Sequence, residues 1–177
     1  MNQLKYLNHY SQETQQQVLQ LLKSDKIGSY LLKKYPKPHT ISSDRELFDF
    51  TQEIKNAHLK KSSPLSKVHY DNKVHVIENA LGSHHFISRV QGAKLKAKNE
   101  IKIASMFKYV PQEFLEMIVV HELAHFKEKE HNKAFYKLCT YMQSDYHQVE
   151  FDLRLYLTQI EKEKKFEAWG KTTESLS

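Results

Sequence analysis

Cysteine is nearly absent from this sequence: Cys139 stands alone among 177 residues. That excludes an internal disulfide framework and a four-cysteine zinc ribbon, and it fits a reducing, cytoplasmic location. Glycine and proline are scarce, at four each, so long disordered linkers are not expected. No apolar run approaches the roughly 18 residues that a membrane span needs. The opening stretch MNQLKYLNHYSQETQQQ lacks an apolar segment of the signal-peptide kind. A glycine-rich phosphate loop is missing too, so any phosphate would have to be held by side chains.

What is present starts with size and charge. The length suits one domain, 1–177, read as a helical N-terminal part (1–62) and a core (63–177). Apolar residues make up 40%, enough for a core. The net charge of +6 favours anionic partners such as nucleotides, nucleic acid or acidic peptides. Histidine is common, with 11 copies, so histidine motifs must be weighed against chance.

Along the chain the apolar period changes twice. Ser11 to Leu22 reads as a helix, KKYPKPHT as a loop, and Ser43 as an N-cap whose capping-box partner is Glu46. The helix it opens carries Leu47, Phe50, Ile54 and Ala57 at helical spacing. From Val68 the pattern alternates: KVHYDNKVHVI, with a turn near Asp71-Asn72, then HHFISRV, then EIKIA, with QGAKLKAKN as a connector. This predicts a small, mostly antiparallel sheet of three or four strands. Pro111 then opens a helix through QEFLEMIVVHELAHF, Asn132 caps NKAFYKLCTYM, and HQVEFDLRLYLTQI forms the last helix. Helices, then a sheet, then helices make an α+β domain.

The chemistry concentrates in VVHELAHFKEKEH. In a helix, His125 sits about 40° around the axis from His121 and one turn along it, so both imidazoles can reach one metal ion. Glu122 points to the side, where a carboxylate can act as general base on an activated water without ligating the metal. His131 is the preferred third ligand. In an unbroken helix it would lie about 9 Å beyond His125 on another face, so the helix must stop inside FKEKE. Metzincins share the spacing but place a glycine where this chain has Glu128, and KEKE favours helix. The rival is an unbroken helix with Glu150 completing a His₂Glu set.

These residues resemble the YgjP-like metal-dependent hydrolases, a zinc metallopeptidase-like family related in architecture to SprT-like proteases. The likeness is sharpest over Val119 to Leu138, on His121, Glu122, His125, His131 and Phe135. It implies a zincin-like fold, zinc on His121, His125 and His131, and Glu122 as catalytic base. Many relatives carry Arg-Trp-Gly-Ser-Cys on the preceding strands; here the stretch is Arg89-Val90-Gln91-Gly92-Ala93. Arg89 and Gly92 match, and the Trp and Cys do not.

The expected activity is a zinc-dependent hydrolase of metallopeptidase type. The first alternative is a metal-dependent pyrophosphatase acting on a nucleoside triphosphate such as UTP at the same site. There Arg89 would hold phosphate, and Mg²⁺ or Mn²⁺ would assist. The second is a non-enzymatic, zinc-stabilised module that binds nucleic acid through its basic surface; the lack of a nucleic-acid-binding motif disfavours it. His84 or His85 could face the site, but not both. Asp145 and His147 are weighed as supports for the metal ligands, Tyr136 and Tyr141 as oxyanion donors, and Cys139 as a buried small hydrophobe.

Overall fold

The computed structural model describes residues 4–74, 83–91, 94–163 and 169, with 83–91 and 94–98 placed by backbone alone. A 3-10 turn, Lys5–Leu7, precedes α1 (Gln12–Lys23), α2 (Lys26–Lys34) and α3 (Asp44–His58). Three strands follow: β1 (Leu65–Asp71), β2 (Ser83–Gln91) and β3 (Lys94–Ala104). The chain then forms a 3-10 turn (Ser105–Tyr109), α4 (Gln112–Ala124), α5 (Lys133–Met142) and α6 (Tyr146–Glu163). The expected α+β arrangement is what forms.

Local chemistry sets most boundaries. Ser43 Oγ accepts from the Glu46 amide at 3.2 Å while Glu46 Oε2 accepts from the Ser43 amide at 2.9 Å, the reciprocal capping box foreseen for α3. Asn132 Oδ1 accepts from the Phe135 amide at 2.9 Å and opens α5. Helix α1 matches the stretch Ser11 to Leu22 read as a helix, and α2 follows it as a helix not expected from the sequence. Asp25 adopts a left-handed backbone (φ 52°) between α1 and α2, a conformation that aspartate tolerates better than most residues.

The sheet departs from expectation. Its order is β1-β3-β2; β1 runs parallel to β3, and β2 antiparallel to it. It is therefore mixed rather than mostly antiparallel. Ser83 pairs with Lys102 and Gln91 with Lys94, so the supposed connector QGAKLKAKN is largely strand. Its lysines alternate with Leu95, Ala97 and Asn99, a period of two in which a single large apolar residue is too little to read as a strand. The hairpin expected after Asp71-Asn72 falls partly on residues 75–77, which lie outside the described residues.

The core fills the space between one sheet face and the helices. Val68, Tyr70, Ile101 and Ile103 are buried on that face. Asp44 fastens α3 to the sheet by accepting the Tyr70 amide at 2.9 Å, and the Tyr70 hydroxyl donates to the Ile41 carbonyl at 2.8 Å. Helix α4 is buried all round from Met117 to Ala124, with His121 and Glu122 as the two polar residues in that span. The N-terminal helices join the same core through Val18, Leu22, Ile27 and Leu31. Asp152 on α6, fully buried, accepts from Tyr35 Oη (2.6 Å), Lys34 Nζ (2.6 Å), Tyr30 Oη (3.0 Å) and Gln148 Nε2 (3.0 Å). No described helix is long and apolar enough to cross a membrane.

Candidate metal centre

Helix α4 delivers its chemistry at its last turn. His121 and Glu122 stand on a buried helix and are 4% and 1% exposed, and His125 is the first residue past the end. The helix breaks before His131, as the spacing required, but ends at Ala124, just ahead of the FKEKE stretch expected to hold the break. The Lys127 and Glu128 amides both donate to the Ala124 carbonyl at 3.0 Å, and the Phe126 amide to that of Leu123 at 3.1 Å. No glycine is needed, because no residue in this turn has positive φ. The His125 ring holds the turn instead: its Nδ1 lies 3.0 Å from the Glu128 carbonyl oxygen. A carbonyl can only accept, so Nδ1 carries the proton and Nε2 keeps its lone pair.

The turn returns His131 to the other two histidines. Its Nε2 lies 3.2 Å from that of His121 and 3.1 Å from that of His125. Among the described residues these three form a group whose ligand atoms all lie within 4.8 Å of one another. Two nitrogens held at about 2.0–2.1 Å by a tetrahedral ion would be about 3.3–3.4 Å apart. The observed separations approach that spacing, and the donor set fits a metal ion.

Phe135 floors the cluster. It is fully buried, and its ring centroid lies 4.9, 4.6 and 4.8 Å from those of His121, His125 and His131. The apolar floor limits how far the imidazoles can tilt and keeps water from behind them. Behind His121 stands Tyr146, the first residue of α6, also fully buried, with its hydroxyl 2.8 Å from His121 Nδ1. Burial lowers the proton affinity of the His125 ring. It also raises the Glu122 carboxyl to about 8.

The rival ligand is elsewhere. Glu150 is buried on α6, and its Oε1 accepts from Arg154 at 2.8 Å. His147 is exposed, with its Nδ1 4.0 Å from Glu150. The residue between Asp145 and His147 is the one that reaches the cluster. Sequence reasoning passed over Tyr146 because only the fold joins positions 25 residues apart. Tyr136 lies beside the site, its ring 6.4 Å from that of His131, whereas Tyr141 is 65% exposed and packs on His58. Cys139 is buried, and burial pushes its thiol up to about 12, in keeping with an inert core residue. In the β2–β3 register, His84 pairs with Ile101 and so shares the core-side row, whereas His85 pairs with Glu100. Arg89 pairs with Lys96 and falls in the opposite row, with Glu100 and Lys102.

Comparison with known proteins bears on this geometry. A family model described as YgjP-like, metallopeptidase domain, matches residues 92–156. A protein of Escherichia coli (strain K12) named UTP pyrophosphatase is 53% identical over 160 residues, spanning 90% of this chain and 96% of that relative. No solved structure matches the chain. A relative so similar over nearly the whole length, together with the matching domain, marks an enzyme, a metal-dependent hydrolase: the chain belongs to the YgjP-like family.

Proposed function

We propose that the protein is a pyrophosphatase that hydrolyses a nucleoside triphosphate, UTP in the first instance, at the histidine cluster. The observation that carries the reading is the convergence of three imidazole Nε2 atoms beside a buried glutamate on the same helix end. Its direction towards a nucleotide comes from the name of the relative above and from the net charge of +6. Within a single zincin-like domain, 1–177, His121, His125 and His131 would hold zinc, the borderline-soft ion that an all-imidazole set suits. When bound, zinc supplies Lewis acidity to the attacking water and to the phosphate it attacks.

The chain's own residues supply the proton transfers. The Glu122 carboxylate takes a proton from water as its oxygen bonds to the α-phosphorus. The bond from that phosphorus to the bridging oxygen breaks, and Glu122 returns the proton to the departing diphosphate. UTP and water thus become UMP and diphosphate. The apolar walls of α4 and Phe135 exclude other water, which strengthens each electrostatic contact at the site. Mg²⁺ or Mn²⁺ would accompany the nucleotide on its phosphate oxygens. Arg89 is the phosphate-binding candidate by charge. The cytoplasm, where nucleotides are abundant, is the proposed compartment.

Peptide hydrolysis is the second reading, because the matching family model is described as a metallopeptidase domain. Purified zinc-loaded protein, offered UTP, other nucleoside triphosphates and unstructured peptides side by side, decides between them. Release of UMP and diphosphate from UTP is expected. Peptide cleavage with UTP left intact would overturn the proposal in favour of the second reading.

A further inference from the structure

We infer that the sheet face turned away from the core, along β2 and β3, binds a single nucleic-acid strand by its phosphates. The inference does not depend on the metal-site reading or on which substrate is cleaved.

Charge is unevenly placed along the chain. Residues 79–99 hold Arg89, Lys94, Lys96 and Lys98 and no aspartate or glutamate, against a net charge of +6 for the whole protein. Strand register gathers these four cations. Side chains alternate between the two faces of a sheet, and the core takes the row of Val68, Tyr70, Ile101 and Ile103. Lys94, Lys96 and Lys98 fall in the other row of β3, and Arg89 pairs with Lys96 in the same row of β2. The residues paired with Lys94 and Lys98 are Gln91 and Ile87, so none of the three lysines has a carboxylate as its pair. The acids of this face stand towards the other end of β3 and are already met by cations. Glu100 Oε1 lies 3.5 Å from His69 Nδ1 and 3.7 Å from Lys67 Nζ, and Asp71 Oδ2 lies 3.7 Å from Lys102 Nζ. The four cations therefore form a row that no acid in register offsets.

The spacing suits phosphates. Alternate residues of a strand lie about 6.8 Å apart, close to the step between successive phosphates of an extended nucleic-acid strand. Three lysines in line can meet three phosphates in succession, and Arg89, beside the middle one, adds a planar donor fork that suits phosphate. A flexible single strand can follow this row from end to end, whereas the phosphates of a rigid duplex wind away from it. Phe86, the one phenyl ring on β2 and β3, pairs with Asn99 in the core-side row. The basic row thus offers no phenyl or indole on which bases stack. Its hold is on the phosphate backbone, so binding is sensitive to salt and blind to sequence.

The test is fluorescence anisotropy of the full chain with a 5′-hydroxyl oligouridylate of about 12 nucleotides, a probe that brings no triphosphate to the metal centre. Affinity should fall as salt rises, with a log–log slope of about −3, from four phosphate contacts at about 0.7 each. Lys94→Gln, Lys96→Gln and Lys98→Gln combined should bind about 10-fold more weakly or worse at about 0.1 M salt, with a slope of about −0.7. Zinc affinity should stay at the wild-type level. Arg89, the phosphate-binding candidate above, is left in place. Changing Lys23, Lys26 and Lys33 to Gln takes equal charge from exposed positions of α1 and α2 and should leave binding near the wild type. Equal losses in the two triple variants would show that only net charge is felt, and would overturn the inference. So would tighter binding of a duplex of equal length or of a glutamate-rich peptide of equal charge. Loss of binding on chelation of the metal would move the strand to the metal centre and overturn it as well. Should the sheet variant not fold, Lys96→Gln alone decides: a slope smaller by about 0.7 is expected, and an unchanged slope overturns the inference.

Discussion

Among the described residues two polar clusters, one buried and one opening to solvent at His131, are built on opposite rules. Around Asp152, unlike meets unlike: one carboxylate receives two phenols, an ammonium and an amide, all at 2.6–3.0 Å. At the end of α4, like meets like: three imidazole nitrogens come within 3.1–3.2 Å through His131. The first cluster is complete within the chain, so it ties α2 to α6 and asks for no ligand. The second gains most from an added cation, and folding holds its members together in advance. A polar cluster that its own residues complete is read as structural, and one whose lone pairs share a focus is read as a binding site.

The largest effect that would sharpen this contrast is on catalysis. Glu122→Gln should lower the turnover number about 10²–10⁴-fold while metal content, measured by elemental analysis, stays at the wild-type level. Unchanged turnover would remove the carboxylate from the mechanism. Metal removal comes next. At a free zinc concentration about 100 times its Kd, the ion should add about 2.7 kcal/mol to unfolding stability, measured by denaturant titration with and without chelator. His131→Ala should abolish most of that increment and leave the metal-free stability nearly unaltered, because His131 is exposed.

The Asp152 cluster should respond in stability alone. Tyr35→Phe deletes a 2.6 Å hydrogen bond to a buried carboxylate and should cost about 1.5–3 kcal/mol of stability with no change in zinc affinity. A loss of metal binding in this variant would show that the two clusters are not separable. The smallest effect concerns His39, whose Nε2 lies 2.6 Å from the Phe107 carbonyl. Burial holds the His39 ring below its ordinary pKa of 6.5. The unfolded chain therefore binds a proton that the folded chain resists. Stability from this source is fully present above pH 6.5 and declines as pH falls below it. Urea midpoints should fall between about pH 7.5 and 5 in the wild type and fall less steeply in His39→Gln, the remainder coming from other histidines that burial holds neutral, such as His125.

How much of this could be read from sequence depends on range. The α3 capping box, the Asn132 cap and the helical placing of His121, with His125 at the helix's C-cap, are local patterns that the residues themselves set. The requirement for a break before His131 was legible too, because helix geometry demands it. The means was not: the His125 ring bonds to the backbone three residues on, and no propensity scale records that. The parallel pairing of β1 with β3 was hidden because strand order is decided across more than 25 residues. Tyr146 was hidden for the same reason, since its role depends on how α6 docks against α4.

The glycine-free turn after His125 has a consequence in the denatured ensemble. A glycine there would widen the range of backbone states open to the unfolded chain, and folding would have to give up that freedom each time. Ordinary residues from Phe126 to Glu130 begin with fewer states to lose. The segment that carries the third histidine is thus partly confined before any tertiary contact forms, and less of the ion's binding free energy is spent on ordering the chain.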